Sequence, residues 1–204
     1  MSNEYPMIKS FFLISVLLSL SSICCAAHGL LTPHHEGEAD RGMKIFIFNG
    51  TTLIQAGSDT AMIKPPVTEG LSFAVFFLKR GYLPVVKVIK ATTEDVRLEK
   101  VLVEKPIETG MGFLTGVVYK SIHGGKISRR TGILTLIKDV NIEAERSDGE
   151  EFNATSGADG VYGLKLPPGK YKVFIKGSKE STEITIEKTA TTIQNLRKGL
   201  VLRD

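Results

Sequence analysis

Cysteine is nearly absent from this 204-residue chain, and its two cysteines, Cys24 and Cys25, both fall within an apolar N-terminal stretch. If that stretch is removed, no thiol remains. Disulfides and Cys-ligated zinc or iron–sulfur sites are then excluded. Tryptophan is absent, and aromatic residues make up only 7% of the chain. Flat aromatic platforms of the kind that bind sugars are therefore scarce.

Long helical periodicity is also missing. No stretch sustains a 3.6-residue apolar period over three turns, which argues against an α-rich fold. The formal net charge is +4, but basic residues do not form a stripe with interleaved aromatics. That stripe is the usual footprint of a nucleic-acid-binding surface. We therefore predict no nucleic-acid partner.

The N-terminus has the features of a secretory signal peptide. A basic residue precedes the apolar run at residues 11–20, and small residues follow it up to Ala27. We predict cleavage after Ala27, which removes residues 1–27. The run is too short to cross a bilayer, which needs ~20 apolar residues. The protein is therefore predicted to be secreted or periplasmic, with lipidation at Cys24 or Cys25 as an alternative that would anchor it to a membrane.

Residues 28–42 form a polar segment, which we predict to be a flexible arm. It holds His28, His34 and His35, three of the four histidines in the chain. After cleavage, His28 would present an α-amine and an imidazole together, a chelate that suits Cu(II) or Ni(II). The alternative is a solvated arm in which the histidines have no ligand.

Residues 156–176 say most about the architecture, because apolar and polar residues alternate around two turn signals. A glycine after aspartate supplies the positive φ of a tight hairpin, and two prolines before a glycine end a strand and reverse the chain. We therefore predict three neighbouring antiparallel strands in a half-buried sheet. The structural turn residues are Asp159, Gly160, Pro167, Pro168 and Gly169.

Two β-rich blocks flank a short connector. The first block covers residues 43–105, the linker residues 106–111 and the second block residues 112–204. The second block contains about seven short strands between Gly, Asp and Pro turns, which is typical of a β-sandwich of ~100 residues. The sequence thus predicts an all-β protein.

Several segments of the second block carry a family resemblance: residues 116–118, 140–142, 155–162 and 166–173. On these motifs, residues 112–204 resemble the carboxypeptidase regulatory-like domain, a Greek-key, prealbumin-like (transthyretin-like) β-sandwich. The resemblance implies an accessory or binding unit with no catalytic residues. Residues 43–105 resemble a divergent copy, so two tandem modules are predicted.

The link between the first two strands of the second block is longer than the resemblance predicts. Loops on a rigid sandwich are common binding sites, and this one carries the candidate contact residues His123, Lys126, Arg129 and Arg130. The alternative is a β-hairpin extension whose apolar side packs on the sheet. A lone loop histidine does not make a catalytic triad, so no enzymatic activity is predicted.

Taken together, these features predict an exported, non-catalytic binding or scaffolding protein without a cofactor. The expected partner is an envelope or extracellular protein, with a glycan as a further possibility. The alternatives are a periplasmic protein that binds Cu or Ni through the histidine arm, and a carbohydrate-binding module.

Overall fold

A computed structural model describes most of the two β-rich blocks. The predicted signal peptide and the histidines of the predicted arm lie outside the described residues, which belong to one unit of the chain, Gly37–Asp204. The described residues are 42–57, 62–63, 67–92, 96–97, 103, 105–124 and 132–203.

The described part of the chain is all-β. It contains no helix, and therefore no helix long and apolar enough to span a membrane. The prediction of an all-β sandwich is confirmed. The strands are β1 Lys44–Phe48, β2 Leu53–Gly57, β3 Met62–Ile63, β4 Ser72–Leu78, β5 Val85–Lys90, β6 Val96–Arg97, β7 Gly112–Gly124, β8 Ile133–Leu136, β9 Asn141–Arg146, β10 Glu151–Thr155, β11 Val161–Leu166, β12 Gly169–Ile175, β13 Ser181–Ile186, β14 Thr191–Ile193 and β15 Leu196–Arg203.

Two sheets dominate the described ranges. The smaller has the strand order β10-β9-β12-β13 and is antiparallel throughout. The larger follows the path β11-β7-β8-β4-β1-β2, with β5 paired to β4. Strands β14 and β15 run parallel to β7, and β3 pairs with β6 in a separate small sheet.

The main core lies between these two sheets. Side chains alternate along β9, β11 and β12, so every second residue faces inward, as a half-buried strand requires. Burying each large apolar side chain contributes about 1.5–3 kcal/mol. The core includes Leu114, Val118, Ile142, Ala144, Tyr162, Leu164, Leu166, Tyr171, Val173, Ile175 and Ile186.

The central strand β7 is buried on both faces. Its Leu114 and Val118 enter the main core, whereas Val117 and Tyr119 enter a second cluster on the other side. There the ring of Phe48 meets that of Tyr119 edge-on, with centroids 5.1 Å apart. Because Phe48 lies on β1, the first block covers the outer face of β7.

The two blocks are also joined through the larger sheet and the connecting chain. Ser72 of β4 pairs with Ile133 of β8. In the predicted linker, the N–H of Ile107 donates to the carbonyl of Gly81 at 2.8 Å, and the Ile107 side chain is buried. The blocks thus share a sheet and a core, and the assignment of tandem modules stays a prediction.

The hairpins predicted around Asp159-Gly160 and Pro167-Pro168-Gly169 are wrong. Strand β10 pairs with β9, β11 with β7, and β12 with β9 and β13, so β11 pairs with neither β10 nor β12. Each corner instead carries the chain from one sheet to the other. Alternation specifies which side chains face the core, but it does not specify which strand lies alongside.

The first corner needs a glycine for two reasons. Gly160 has a φ of 72°, a left-handed value that side chains with a Cβ disfavour. An added Cβ would also lie 2.9 Å from the Cβ of Leu136 and 3.0 Å from the carbonyl oxygen of Val118. The carbonyl oxygen of Gly160 accepts a hydrogen bond from the N–H of Val118 at 2.8 Å. This corner is therefore packed directly against β7.

Tyr171 stabilises the second corner, at Pro167-Pro168-Gly169. The hydroxyl of Tyr171 donates to the carbonyl oxygen of Pro167 at 2.8 Å, and its ring meets that of Phe152 edge-on at 5.9 Å. Pro167 and Pro168 fix the backbone angle φ at two consecutive positions before the turn. The corner then returns the chain to the smaller sheet at β12.

The apolar segment after the predicted contact loop packs as a hairpin extension. Strand β8 runs antiparallel to β7, with Tyr119 opposite Leu136 and Lys120 opposite Thr135. Ile133 is fully buried beside the phenylalanines of the first block. Its apolar character therefore belongs to the core rather than to a binding surface.

Candidate functional site

The residues predicted to bind metal or a partner are mostly beyond what the structure describes. His123 lies on β7, where its backbone is opposite Leu202 of β15. The candidate metal ligands and the rest of the contact loop lie outside the described residues: His28, His34, His35, Lys126, Arg129 and Arg130.

Buried polar side chains in the described ranges serve the fold. The buried polar residues are Asn49, Thr115 and Ser156, and each has hydrogen-bond partners, whereas the buried Oγ1 of Thr191 has none among the described residues. The side-chain oxygen of Asn49 accepts from the backbone N–H groups of Thr51 and Thr52 at 3.0 and 2.8 Å. Among the described residues, no group of three or more His, Cys, Asp or Glu is placed to hold a metal ion.

Three of the four tyrosines beyond the predicted signal peptide belong to cores. Tyr119, Tyr162 and Tyr171 are buried, and burial raises the pKa of each phenol. The hydroxyl of Tyr162 donates to the carbonyl oxygen of Gln194 at 2.5 Å. Tyr82 is partly buried and has the ammonium of Lys79 4.5 Å from its ring centre. The rings of Tyr119, Tyr162 and Tyr171 are buried, so they cannot act as platforms for a sugar.

An apolar strand edge ends the larger sheet. Strand β2 is the last strand of the described path, and it begins with Leu53 and Ile54. Leu53 and Ile54 are 42% and 40% exposed, and they are the large hydrophobic residues exposed within the described ranges. They stand opposite Phe48 and Ile47 of β1, which are buried. Because neighbours on a strand point to opposite faces, apolar surface appears on both sides of this edge.

The outer face of the smaller sheet is charged. One row across it contains Glu151, Glu145, Lys172 and Glu183, each opposite the next on the adjacent strand. Lys172 lies between two glutamates of opposite charge, whereas Glu151 and Glu145 are like charges directly opposite each other. A groove of about 530 Å³ lies at one end, beside Arg146.

The guanidinium in that groove is already neutralised. Arg146 pairs with the carboxylate of Asp148 and lies 3.0 Å from a carboxylate oxygen of Glu150. The hydrogen bond from Arg146 lowers the pKa of Asp148 to about 2. Arg146 is therefore engaged within its own β-turn.

A second groove, of about 440 Å³, differs from the first because most of its charged side chains are positive. One wall is the turn at residues 176–180 between β12 and β13, and the other is residues 197–199 of β15. The pairing of β15 with β7 is irregular between Arg197 and Leu200, so Lys198 and Gly199 leave the regular ladder. We call this site the cationic groove. Sequence inspection missed it because its two walls are far apart in the chain.

Four cations surround the cationic groove: Lys176, Lys179, Arg197 and Lys198. Lys176 forms an ion pair with Glu143 at 2.9 Å. The other three have no ion-pair partner among the residues that the structure describes. Glu180 is the acidic residue of the lining, so the groove has an excess of positive charge.

Comparison with known proteins does not assign the chain to a family. No protein-family model matches it, and no curated protein matches it. It is similar to a solved structure, the Bacillus anthracis TIE protein, at 11% sequence identity and a TM-score of 0.30. The match covers 77% of this chain and 30% of that protein's chain.

Proposed function

We propose that this protein is an exported, non-catalytic binding protein that contacts a partner protein through the edge of β2. The observation that carries the proposal is the pair Leu53 and Ile54, exposed side by side on the terminal strand of the larger sheet. Export rests on the predicted signal peptide. The binding role rests also on the resemblance to carboxypeptidase regulatory-like modules.

An exposed apolar edge strand is normally avoided. Such edges template pairing with other chains, and proteins usually protect them with lysine, proline or an inward charge. Strand β2 has the sequence Leu-Ile-Gln-Ala-Gly and contains none of these. An extended partner segment that added a strand here would gain main-chain hydrogen bonds along the edge. Covering the exposed part of each side chain would contribute about 1 kcal/mol.

The turn before β2 holds this edge in place. Asn49 is 4% exposed, and its side-chain oxygen accepts hydrogen bonds from both Thr51 and Thr52. Gly50 has a φ of 89°. A preorganised edge loses little conformational entropy when a partner strand binds. The rigid turn therefore favours recognition without rearrangement.

Site-specific photo-crosslinking tests the proposal. A photoreactive amino acid replaces Leu53 in one variant and Thr182, an exposed residue on the edge strand β13, in the matched control. Both are irradiated in envelope extract from the producing cells. We expect a discrete heterologous adduct from position 53 that Ile54→Lys diminishes, and no such adduct from position 182.

Three results would contradict this function. Equal adducts from positions 53 and 182, or an adduct unaffected by Ile54→Lys, would show that the β2 edge is not a specific surface. An adduct whose mass equals two copies of this chain would show that the edge pairs with itself.

A further inference from the structure

The cationic groove combines two distant segments of the second block. The turn at residues 176–180 contributes Lys176 and Lys179, and the irregular part of β15 contributes Arg197 and Lys198. Gly177 and Gly199, one in each wall, have φ values of 79° and 83°. Only tertiary folding brings these cations to the same groove.

The electrostatics of the groove favour an anionic ligand. Lys179, Arg197 and Lys198 have no ion-pair partner among the described residues, in contrast to Arg146 in the other groove. Clustered like charges repel one another, and an oppositely charged ligand relieves that repulsion. Guanidinium groups also bind planar or tetrahedral oxyanions through paired hydrogen bonds.

The shape and the lining favour a polymer that is not a nucleic acid. The cations of this groove of about 440 Å³ stand on two walls, so a ligand that extends along both contacts more of them than one held against a single wall. Single-stranded nucleic acids gain much of their affinity by stacking bases on aromatic side chains. No aromatic residue lines this groove. A chain of sugars with repeated sulfate or carboxylate groups needs only spaced cations.

We propose that the cationic groove binds an acidic polysaccharide, with Arg197, Lys198 and Lys179 contacting its sulfate or carboxylate groups. This site is separate from the β2 edge and does not depend on the function proposed for that edge.

Heparin serves as the probe, and a charge-matched pair of variants separates the groove from net charge. The test variant is Arg197→Gln with Lys198→Gln, and the control is Lys87→Gln with Lys90→Gln on β5. Both lose two positive charges, and all four side chains lie at least partly at the surface. Heparin affinity is measured by calorimetry at several salt concentrations, and thermal melting checks that both variants fold.

We expect the groove variant to lose on the order of tenfold in heparin affinity at moderate salt, and its salt slope to fall by about 2. The control pair should bind as the wild type does, within about twofold, allowing for its altered net charge. Lys179→Gln, on the opposite wall, should weaken binding by a smaller factor. Ile54→Lys should leave heparin affinity unchanged, which keeps the two proposals distinguishable.

Three outcomes would overturn the proposal. The first is wild-type protein that does not bind heparin. The second is an equal loss of affinity in both charge-matched variants, which would reflect net charge alone. The third is a single-stranded oligothymidylate that binds the groove more tightly than heparin of equal charge, which would favour a nucleic acid.

Discussion

The hydroxyl of Ser156 donates a hydrogen bond to the carbonyl oxygen of Ile137 at 2.8 Å and accepts one from the N–H of Val140 at 3.0 Å. Its own backbone exchanges hydrogen bonds with Asp139 and Val140 at 2.9 Å. The Ser156 side chain thus links the segment between β8 and β9 to the corner that follows β10. Because Ser156 is 2% exposed, water cannot replace these bonds.

Replacing Ser156 should destabilise the protein. Ser156→Ala leaves the N–H of Val140 and the carbonyl of Ile137 without this partner, and each buried unsatisfied polar group costs about 1–3 kcal/mol. We expect the urea midpoint to fall accordingly. Ser178→Ala is the control, because Ser178 is exposed and its hydroxyl accepts only the N–H of Glu180 among the described contacts. Equal midpoints for the two variants would contradict the role assigned to Ser156.

The corner at Gly160 should tolerate no side chain. Gly160→Ala combines left-handed strain, about 1–2 kcal/mol, with a collision against Leu136 and Val118. Gly149→Ala is the matched control: Gly149 has a φ of 91°, but an added Cβ meets nothing within 4 Å. The difference between their free energies of unfolding, measured in urea, isolates the steric contribution. If Gly149→Ala lowered the free energy of unfolding as much as Gly160→Ala does, the collision with Leu136 and Val118 would make no contribution to the loss of stability.

The ion pair of Arg146 and Asp148 should stabilise the protein near neutral pH and lose this effect in acid. The pKa of Asp148 falls to about 2 in the folded protein, whereas an unperturbed aspartate titrates near ~3.9. A depressed folded pKa contributes stability that is present above the unfolded pKa and is lost as pH falls through the folded value. The contribution should therefore fade between roughly pH 4 and pH 2.

Asp148→Asn tests this dependence. The variant should have a lower urea midpoint than the wild type at pH 6, and the two midpoints should converge near pH 2. In an Arg146→Gln background the same substitution should have little pH-dependent effect, because the partner charge is gone. A constant difference between wild type and Asp148→Asn across this range would contradict the assignment.

Strand positions were largely predictable from the sequence. Residues 156–176, where alternation predicts strands, contain β11 Val161–Leu166 and β12 Gly169–Ile175. Alternation and flanking turn residues are local signals, so they act before any long-range contact forms. The pairing of these strands was not predictable. The C-terminal strands illustrate this, because β14 and β15 both run parallel to β7.

The candidate surfaces were less predictable than the strands. Leu53 and Ile54 are apolar, so their sequence alone indicates burial, yet they stand on an edge that no described strand covers. Lys179 and Lys198 belong to different turns and carry no motif. Their proximity depends on how β12 and β15 are placed around the main core.

By itself, the sequence determined an all-β chain, the residues that face its core, and the positions where the chain must turn. These properties follow from side-chain alternation and from the restricted or enlarged backbone freedom of proline and glycine. Only the tertiary structure decided that the corners at Gly160 and Pro167 cross between sheets, and that the first block covers β7. The physical reason is that pairing and covering depend on contacts between segments far apart in the chain, which no local pattern encodes.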